Sequence, residues 1–447
     1  MNGLSPLYRG GDNFIENITE RKVMANRFEG IYHQKEIMGL KERETYLNRQ
    51  LRDIVAHAYN CCKTVKERFD GAGLKPSDIQ TVHDLERLPV LKKSDLPKLQ
   101  KKDLPFGSTV SMPPHQLRRI YISPGPTYDP YGKEKDPWRM EEAFYSAGFR
   151  KGDVVQNAFS YHMTPAGTIF DEALGNLGCV VIPTGVGNIE NQIEVLNDLP
   201  LTGYTGPAGF LLSLIRKAEE LGYNPRTDLG YEVAFTSGDM LTETMRREME
   251  ERHGIQVRQG YMTADTGSVA YECIEKAGMH FSTGVVVEII DPISKKPVSP
   301  GEVGEIVVTN FNQTYPLIRF ATGDLSFISD GPCNCSRTAP RLEKIVGRAD
   351  ESTKVKAMFI HPHQLQEIVS HFPEVCDYQL IVDRINGKDE MELQIELEPQ
   401  EIDREGMKTK IDSKFKEVFR LDTKVKFIPK GTLLPNHKRI EDRRKWE

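Results

Sequence analysis

The middle of the chain alternates between short apolar runs and longer amphipathic segments. From Asp153 onward, runs typical of β-strands are followed by segments whose apolar residues recur at helical spacing. The pattern predicts strands over 153–162, 179–185, 231–239 and 255–265. It predicts helices over 165–178, 192–199 and 243–254, and a turn leading into a helix over 203–222. Strands that alternate with helices indicate an α/β fold with a parallel sheet.

Other patterns flank this segment. Residues 44–69 carry apolar positions at helical spacing and predict one long helix. Residues 281–328 alternate apolar and polar positions between turn signals, which predicts an antiparallel β unit. The last part of the chain mixes helical and β-type segments. We therefore expect a large N-terminal domain over 1–349, with parallel sheets flanked by helices plus a β subdomain, and a small α+β C-terminal domain over 350–447.

Composition narrows the class of protein. The chain has 447 residues, of which 38% are hydrophobic and 28% charged, as in soluble globular proteins. Its net charge of −6 gives no electrostatic reason to expect a nucleic-acid or membrane partner. No apolar run approaches the roughly 20 residues that span a bilayer, and the N-terminus lacks the apolar segment of a secretory signal. We expect a cytoplasmic protein and leave a homodimer open.

Four residues could bind a metal ion. Cys273 and His280 form one pair, and Cys333 and Cys335 form a second pair later in the chain. Three thiolates and one imidazole make a complete tetrahedral set for zinc. Both pairs flank strands of the predicted β unit, so their loops could meet. We expect a structural Zn²⁺; the alternative is reduced, unpaired thiols and an exposed histidine.

Polar residues stand where the predicted parallel strands end, which is where such sheets bind ligands. Two of these groups are Ser160-Tyr161-His162 and Ser237-Gly238-Asp239, and the third runs from Tyr261 to Asp265. Upstream, the apolar run at Ile120 breaks into a turn that holds Ser123, Gly125 and Thr127. Backbone N–H groups and hydroxyls of such a turn can contact phosphate oxygens. The alternative is an ordinary Pro/Gly turn.

Two further motifs lie late in the chain. Thr322-Gly323-Asp324 holds a carboxylate at the end of an apolar run, and Gly347-Arg348-Ala349-Asp350 follows at a break in composition. Together these motifs resemble the adenylate-forming (acyl-CoA synthetase) superfamily, whose members carry a Thr-Gly-Asp motif, a Gly-Arg-x-Asp hinge and a small C-terminal domain. The Cys-x-Cys-Ser-Arg-Thr segment from Cys333 is similar to the phenylacetate–CoA ligase branch.

The resemblance implies an AMP-forming acyl-CoA ligase. ATP and a carboxylic acid would give acyl-AMP and pyrophosphate, and the thiol of coenzyme A would then displace AMP. A phenylacetate-like aryl acid is the family's usual substrate, and a small branched or hydroxy acid competes with it. Two alternatives stay open: an adenylating enzyme with an acceptor other than CoA, and a degenerate, non-catalytic nucleotide-binding homologue.

The resemblance also implies roles for single residues. ATP or AMP would contact the phosphate turn, the adenine turn, the segment from Tyr261 and the ribose-binding pair: Ser123, Gly125, Thr127, Ser237, Gly238, Asp239, Tyr261, Met262, Thr263, Asp265, Asp324 and Arg348. Asp265 is also the implied Mg²⁺ ligand, and Asp350 is the hinge about which the C-terminal domain turns. Lys438 and His162 are the implied catalytic residues. Lys438 would contact the acyl carboxylate and the α-phosphate, and His162 would line the acyl pocket unless it is a structural histidine.

The chain departs from the family pattern at several of these positions. Two prolines intrude in the phosphate turn and Tyr128-Asp129 replaces Gly-Lys at its end, so the turn loses backbone donors and a positive charge. Met262 stands for Gly and Asp265 for Glu, and the added bulk of Met262 is expected to reshape the acyl pocket. The spacing of the tail also makes Arg439 a competitor of Lys438.

Overall fold

The computed structural model describes residues 27–123, 127–329, 331–349, 353–355, 358–360, 362–385, 388–398, 403–435 and 437–444. Gly125 of the predicted phosphate turn and Asp350 of the predicted hinge lie outside these described residues. The chain divides into two compact units. The first unit comprises Met1–Val287, Val308–Phe320 and Ile328–Glu343, and the second comprises Glu288–Val307, Ala321–Phe327 and Lys344–Glu447.

The first unit is built on a nine-stranded sheet. Five strands run parallel, in the spatial order Val180–Ile182, Val154–Asn157, Gly203–Gly206, Val233–Thr236 and Gln256–Thr263. The sheet continues antiparallel through Gly267–Glu272, Met279–Phe281, Arg341–Leu342 and Ile328–Ser329. The central strands are buried throughout, as expected for a parallel sheet covered on both faces. The predicted α/β fold is therefore confirmed.

Helices of the first unit supply the covering layers. Its α-helices are Leu40–Cys61, Lys63–Gly71, Leu96–Lys102, Met140–Ser146, Pro165–Leu177, Ile189–Asn197, Ala208–Glu220, Pro225–Asp228 and Glu243–Arg247. Shorter helical turns are Gln34–Ile37, Pro76–Asp78, Val82–Arg87, Lys93–Asp95 and Pro114–Gln116, with a π-helical turn at Glu248–Arg252. Side chains alternate across the sheet: Val233 and Phe235 join an aromatic cluster with Phe170, and Ala234 joins an aliphatic cluster with Leu211.

Three elements differ from the predictions. The helix predicted over 44–69 is two helices, because Cys62 adopts an extended backbone between them. The turn predicted at the start of 203–222 is the buried strand Gly203–Gly206. The segment after the predicted phosphate turn, Thr127–Tyr131, is the second strand of an antiparallel hairpin with Arg119–Ser123.

The second unit contains a four-stranded sheet with the order Lys424–Ile428, Lys388–Leu397, Val375–Ile385 and Ile440–Asp442. Its other elements are the helices Pro362–Ser370 and Arg404–Phe419 and the hairpin Thr353–Val355/Met358–Ile360. Leu365, Leu380, Leu393 and Phe415 are among its fully buried core residues. This mixture of helices and strands matches the α+β pattern predicted for the end of the chain.

A further sheet carries the two late motifs. Its strand Phe320–Ser326 lies beside Gly304–Asn310, which in turn lies beside Val285–Ile290. The short strand Gly347–Arg348 pairs antiparallel with Phe320–Ser326. The boundary between residues 349 and 350 stays a prediction.

Candidate active site

The first strand end holds a fixed tyrosine and an exposed histidine. Asn157 Nδ2 donates to the Tyr161 hydroxyl at 2.8 Å, and that hydroxyl donates to Asp171 at 2.8 Å. Burial and the Asp171 carboxylate raise the pKa of Tyr161, which therefore stays protonated. The His162 ring is exposed, and among the described residues no hydrogen bond to it is found; only its backbone N–H is engaged, by Ser160 Oγ at 3.1 Å. Its imidazole is accessible to a ligand.

The second strand end is the turn after Val233–Thr236. Ser237 Oγ donates to the Gly260 carbonyl at 2.9 Å, and Gly238 adopts a left-handed backbone with φ of 84°. The Asp239 carboxylate accepts the backbone N–H groups of Ala208 and Gly209, both at 2.8 Å. A carboxylate at this place caps the helix Ala208–Glu220. Asp239 thus has a positioning role in the fold, and its predicted adenine contact stays a prediction.

The third strand end runs from Tyr261 to Asp265. A register shift between Tyr261 and Met262 interrupts the pairing with the next strand, and such irregularities re-aim side chains. Tyr261 is buried, while Met262 is half-buried and packs against the aromatic cluster. Thr263 Oγ1 lies 2.9 Å from the Thr266 hydroxyl and accepts the Thr266 N–H, which holds the turn before Asp265 in place.

Asp265 belongs to a buried acidic cluster that also contains Asp129. Both carboxylates are at most 1% exposed. Lys93 Nζ lies 2.7 Å from Asp265 Oδ2. The two groups form an ion pair, but their angles do not meet the geometry of a hydrogen bond. Ser123 Oγ donates to Asp129 Oδ2 across the hairpin, and Thr127 Oγ1 is buried on the same hairpin. The structure thus brings the predicted residues Ser123, Thr127 and Asp265 into the neighbourhood of two residues without an assigned role.

The charge of this cluster is out of balance. Burial and the nearby Asp265 charge raise the pKa of Asp129 to about 7, against the opposing effects of the Ser123 hydrogen bond and Lys93. Two carboxylates face one ammonium group, so the cluster can accept additional positive charge. Carboxylate oxygens of this kind suit Mg²⁺. Lys93 carries no sequence signal of its own, because it stands in a segment of short helical turns between Pro89 and Pro97.

The two late motifs meet within the second unit. Asp324 and Arg348 occupy opposing positions on adjacent antiparallel strands, and Arg348 Nη1 donates to Asp324 Oδ1 at 2.8 Å. Gly323 has φ of 82°, and a Cβ atom there would lie 2.8 Å from Arg348 Nη2. The left-handed backbone favours glycine at this position, and a Cβ atom would crowd the Arg348 guanidinium. A held carboxylate can accept the two hydroxyls of a ribose.

The tail distinguishes Lys438 from Arg439. The Arg439 guanidinium is ion-paired with Asp377, donates to the Tyr378 carbonyl at 3.1 Å and lies 4.5 Å from the centre of the Tyr378 ring. The Lys438 side chain is exposed, and the described residues provide no ion pair for its ammonium. Its backbone carbonyl accepts from Gln379 Nε2 at 2.9 Å, which anchors the main chain below it. Of these two tail cations, Lys438 is the one without an ion pair among the described residues, and its predicted catalytic role stays a prediction.

A candidate metal centre lies at the antiparallel end of the first sheet. Cys273 follows Gly267–Glu272, His280 lies in Met279–Phe281, and Cys333 and Cys335 precede Arg341–Leu342. These three strands are adjacent, so the four side chains meet. Their ligand atoms all lie within 4.8 Å of one another, with 3.6 Å between the sulfurs of Cys273 and Cys333 and 3.3 Å between Cys335 Sγ and His280 Nε2.

The donor set fits zinc. Tetrahedral Zn²⁺ with metal–sulfur distances of about 2.3 Å separates its ligand atoms by somewhat under 4 Å. His280 Nδ1 lies 3.0 Å from the Ala339 carbonyl, and a hydrogen bond between them orients Nε2 toward the thiols. Hydrogen bonds from Cys273 and His280 lower the pKa of Cys335, which favours the thiolate. The four side chains would fill a tetrahedral coordination sphere and leave no position for a substrate, so a bound ion would have a structural role.

Comparison with known proteins is consistent with this geometry. The family model for the AMP-binding enzyme C-terminal domain matches residues 357–444. Phenylacetate-coenzyme A ligase of Thermus thermophilus is 27% identical over 86% of this chain and 91% of its own length. The phenylacetate-coenzyme A ligase of Escherichia coli is 27% identical over 81% of this chain and 84% of its own length.

Solved structures share the fold. An open conformation of 2-hydroxyisobutyryl-CoA ligase, in complex with 2-HIB-AMP and CoA, superposes with a TM-score of 0.81 at 22% identity, covering 91% of this chain and 93% of that one. The same ligase in its thioesterification state gives a TM-score of 0.68 at 22% identity, with 92% of each chain covered. Within the described residues, no helix has the length and apolarity needed to cross a bilayer. These comparisons support the resemblance of the chain to the adenylate-forming superfamily, and within it to the phenylacetate–CoA ligase-like branch.

Proposed function

We propose that this protein is an AMP-forming carboxylic acid–CoA ligase. In the first reaction, the carboxylate of the acid attacks the α-phosphorus of ATP; an acyl-AMP forms and pyrophosphate leaves. In the second, the thiol of CoA attacks the acyl carbon, a thioester forms and AMP leaves. The relatives named above support this reaction class. The observation that carries the proposal is the Asp324–Arg348 pair, because it holds a carboxylate that could accept the hydroxyls of a ribose.

The strand-end residues of the first unit would bind the rest of the nucleotide and the acid. We assign Ser123, Gly125 and Thr127 to the phosphates, and the backbone of Ser237, Gly238 and Asp239 with Tyr261 and Thr263 to the adenine end. His162 and Met262 are assigned to the acyl pocket. The exposed His162 ring and the half-buried Met262 side chain are compatible with that role.

Asp265 would hold Mg²⁺, which neutralises phosphate charge when it is bound. Asp265 Oδ1 is buried without a hydrogen-bond partner among the described residues and Oδ2 already faces the Lys93 ammonium, so this carboxylate suits a cation. The lysine of the family's phosphate turn is absent, and positive charge near the phosphates must come from elsewhere. Lys438 supplies one such charge. Its ammonium reduces the repulsion between the acyl carboxylate and the α-phosphate and stabilises the negative charge of the transition state.

We further propose that the C-terminal domain over 350–447 turns about Asp350 between the two reactions, and that Cys273, His280, Cys333 and Cys335 hold a structural Zn²⁺. We place the protein in the cytoplasm. The acid is an aryl acid like phenylacetate or a small branched or hydroxy acid. Relatives named for each kind exist, and neither excludes the other.

ATP–pyrophosphate exchange with the full chain tests the proposal. Aryl-acetic, benzoic, short branched and 2-hydroxy acids would be supplied one at a time with Mg²⁺ and without CoA. Exchange that depends on one class of acid is the expected result and identifies the substrate. Nucleotide binding without exchange for any acid would instead support the non-catalytic alternative.

A second assay separates CoA from other acceptors. The acid that supports exchange is incubated with ATP and CoA, and the free thioester is measured. Thioester formation with CoA alone is expected. Accumulation of acyl-AMP without thioester would favour an enzyme that passes the acyl group to a carrier protein or an amine.

A further inference from the structure

We propose that Asp129 and Asp265 together form a divalent-cation site, with Lys93 as the counter-ion when no metal is bound. The inference deepens the proposed function and rests on it for the role of the cation, which would meet the ATP phosphates. The binding of a metal to the protein can be measured without ATP. Asp129 is the residue that this proposal adds to the site.

The charge of the phosphate turn differs from that of the family pattern. Where the family's phosphate turn ends in lysine, this chain has Asp129. Replacing a lysine by an aspartate removes a positive charge and adds a carboxyl group that is partly ionised near neutral pH. A polyphosphate would then meet repulsion in place of attraction. One divalent cation restores the lost charge.

Unsatisfied oxygens supply the second argument. Asp129 Oδ1, Asp265 Oδ1 and Thr127 Oγ1 are buried without a hydrogen-bond partner among the described residues, and Asp265 Oδ2 has the Lys93 ammonium at 2.7 Å. Buried polar atoms in folded proteins are nearly always paired, and a buried carboxylate is costly unless a cation compensates it. Thr127 and Asp129 lie two residues apart on one strand, so both project to the same face of the hairpin. That face also bears Ser123, which bonds to Asp129.

The scaffold around these oxygens is rigid. Gln100, on the helix that follows Lys93, accepts the Tyr128 N–H and donates to the Tyr128 carbonyl, both at 2.9 Å. This double hydrogen bond fixes the hairpin strand next to Asp129 relative to the helix. Lys93 in turn pairs with Asp265 at 2.7 Å, and its charge also acts on Asp129. The two carboxylates are therefore held in place from both sides before any ligand arrives.

Lys93 explains how the cluster is stable without metal. Its side chain is one-third exposed, so the ammonium can move into solvent when a stronger cation takes its place. A single ammonium leaves one of the two carboxylates uncompensated. Mg²⁺ or Mn²⁺ would bind both carboxylates through oxygen and retain water molecules for exchange with phosphate oxygens.

Titration of Mn²⁺ with the full-length, zinc-loaded protein in the absence of nucleotide tests the inference, with free Mn²⁺ measured by electron paramagnetic resonance. The wild type is expected to bind Mn²⁺ saturably and to release it when Mg²⁺ is added. Asp129→Asn and Asp265→Asn are each expected to weaken Mn²⁺ binding by about tenfold or more. Loss of a residue that only hydrogen-bonds to a metal ligand already lowers metal affinity by about tenfold, and loss of a ligand should cost at least as much. Asp198→Asn, an exposed carboxylate on the same unit, is the matched control and should leave binding unchanged.

Lys93→Met provides an independent check, since it removes the competing ammonium and keeps the length of the side chain. We expect tighter Mn²⁺ binding in this variant. Wild-type affinity in Asp129→Asn, or no saturable binding by the wild type, would overturn the inference. If the wild type catalyses pyrophosphate exchange but its Mn²⁺ binding does not depend on Asp129, the proposed function holds and the Asp129 site is wrong. If Mn²⁺ binding depends on Asp129 but no acid supports exchange, the metal site holds and the proposed function is wrong.

Discussion

Arg348 and Asp324 face each other across two antiparallel strands, and their side chains form an ion pair of 2.8 Å. The arginine holds the carboxylate in one orientation, and the glycine beside Asp324 gives it room to do so. A carboxylate that is already oriented loses little freedom when it accepts the hydroxyls of a ribose. We therefore expect the pair to contribute to binding through the ribose.

Asp324→Asn should weaken ATP and AMP binding by about 10- to 100-fold, the usual cost of losing hydrogen bonds to a charged group. Isothermal titration calorimetry measures this directly. The matched test uses 2′-deoxy-ATP, which lacks one hydroxyl. The wild type should bind it more weakly than ATP, while Asp324→Asn should hardly distinguish the two. Equal discrimination by both proteins would place the ribose elsewhere.

Lys438→Ala should lower the rate of acyl-AMP formation by about 10²- to 10³-fold, because the variant loses a charge that stabilises the transition state. Pyrophosphate exchange reports this step. Thioester formation from chemically prepared acyl-AMP should change far less, since the phosphate chemistry is then complete.

Arg439→Ala is the matched control for Lys438→Ala. Arg439 is paired with Asp377 and stacked near Tyr378, so its loss should reduce stability more than the exchange rate. A variant of Arg439 that loses exchange while Lys438→Ala retains it would reverse the assignment of the tail cation.

The alternating strands and helices were predictable from the sequence because apolar periodicity reflects burial directly. Gly203–Gly206 was not, because its two glycines suggest a turn. A Cβ atom on Gly203 would lie 2.7 Å from the Phe149 ring. The glycine therefore makes room for an aromatic side chain in a buried strand. Only the packing, which local sequence does not encode, distinguishes this glycine from a turn residue.

The candidate site was likewise only partly predictable from the sequence. The meeting of Asp324 with Arg348 and of the four Cys and His side chains was predictable because each stands in a motif or a ligand-rich pair, and what they bind stays a prediction. Lys93 was not, since it reaches Asp265 from a segment more than a hundred residues away in the chain. Asp239 occupies a motif position, but its carboxylate accepts backbone N–H groups at the N-terminus of a helix. Contacts across the fold decide such roles.

The proposed zinc should stabilise the protein, so its removal should lower the thermal midpoint. We expect one zinc per chain by elemental analysis, and loss of zinc in Cys335→Ser. The thermal midpoint should fall by roughly 5 °C or more, since each kcal/mol shifts it by about 2–4 °C in a large domain. Cys61→Ser, which changes an exposed thiol outside the cluster, should keep both the zinc and the midpoint. Purified protein without zinc would contradict the four-ligand assignment.

His33 should make stability depend on pH. His33 Nε2 lies 3.3 Å from Glu142 Oε2. The hydrogen bond between them raises the pKa of His33, and the Glu36 carboxylate raises it further. The folded state therefore binds the proton more strongly than the unfolded state. This stabilisation is fully present below about pH 6.5, the ordinary histidine value, and is lost as the pH rises through the higher folded pKa.

Urea unfolding of the wild type and of His33→Gln between pH 6 and 9 measures this effect. The difference in free energy of unfolding should shrink as the pH rises, by about 1 kcal/mol or less because the ring is partly exposed. His115→Gln, an exposed histidine, is the control. A difference that stays constant with pH would show that the His33–Glu142 pair does not titrate in this range.

Met262 should limit the size of the acid. Its methyl carbon lies 3.0 Å from where a Cβ atom on Gly260 would be, and its side chain covers the aromatic cluster that contains Phe170 and Phe235. Met262→Gly would remove this cover and restore the residue of the family pattern. Selectivity, measured as the ratio of kcat/KM for phenylacetate to that for 2-hydroxyisobutyrate, should rise by about tenfold or more, since a few methylene groups discriminate on this scale. Met240→Ala, an exposed methionine, controls for loss of a thioether, and an unchanged ratio in Met262→Gly would place the acyl pocket away from the aromatic cluster.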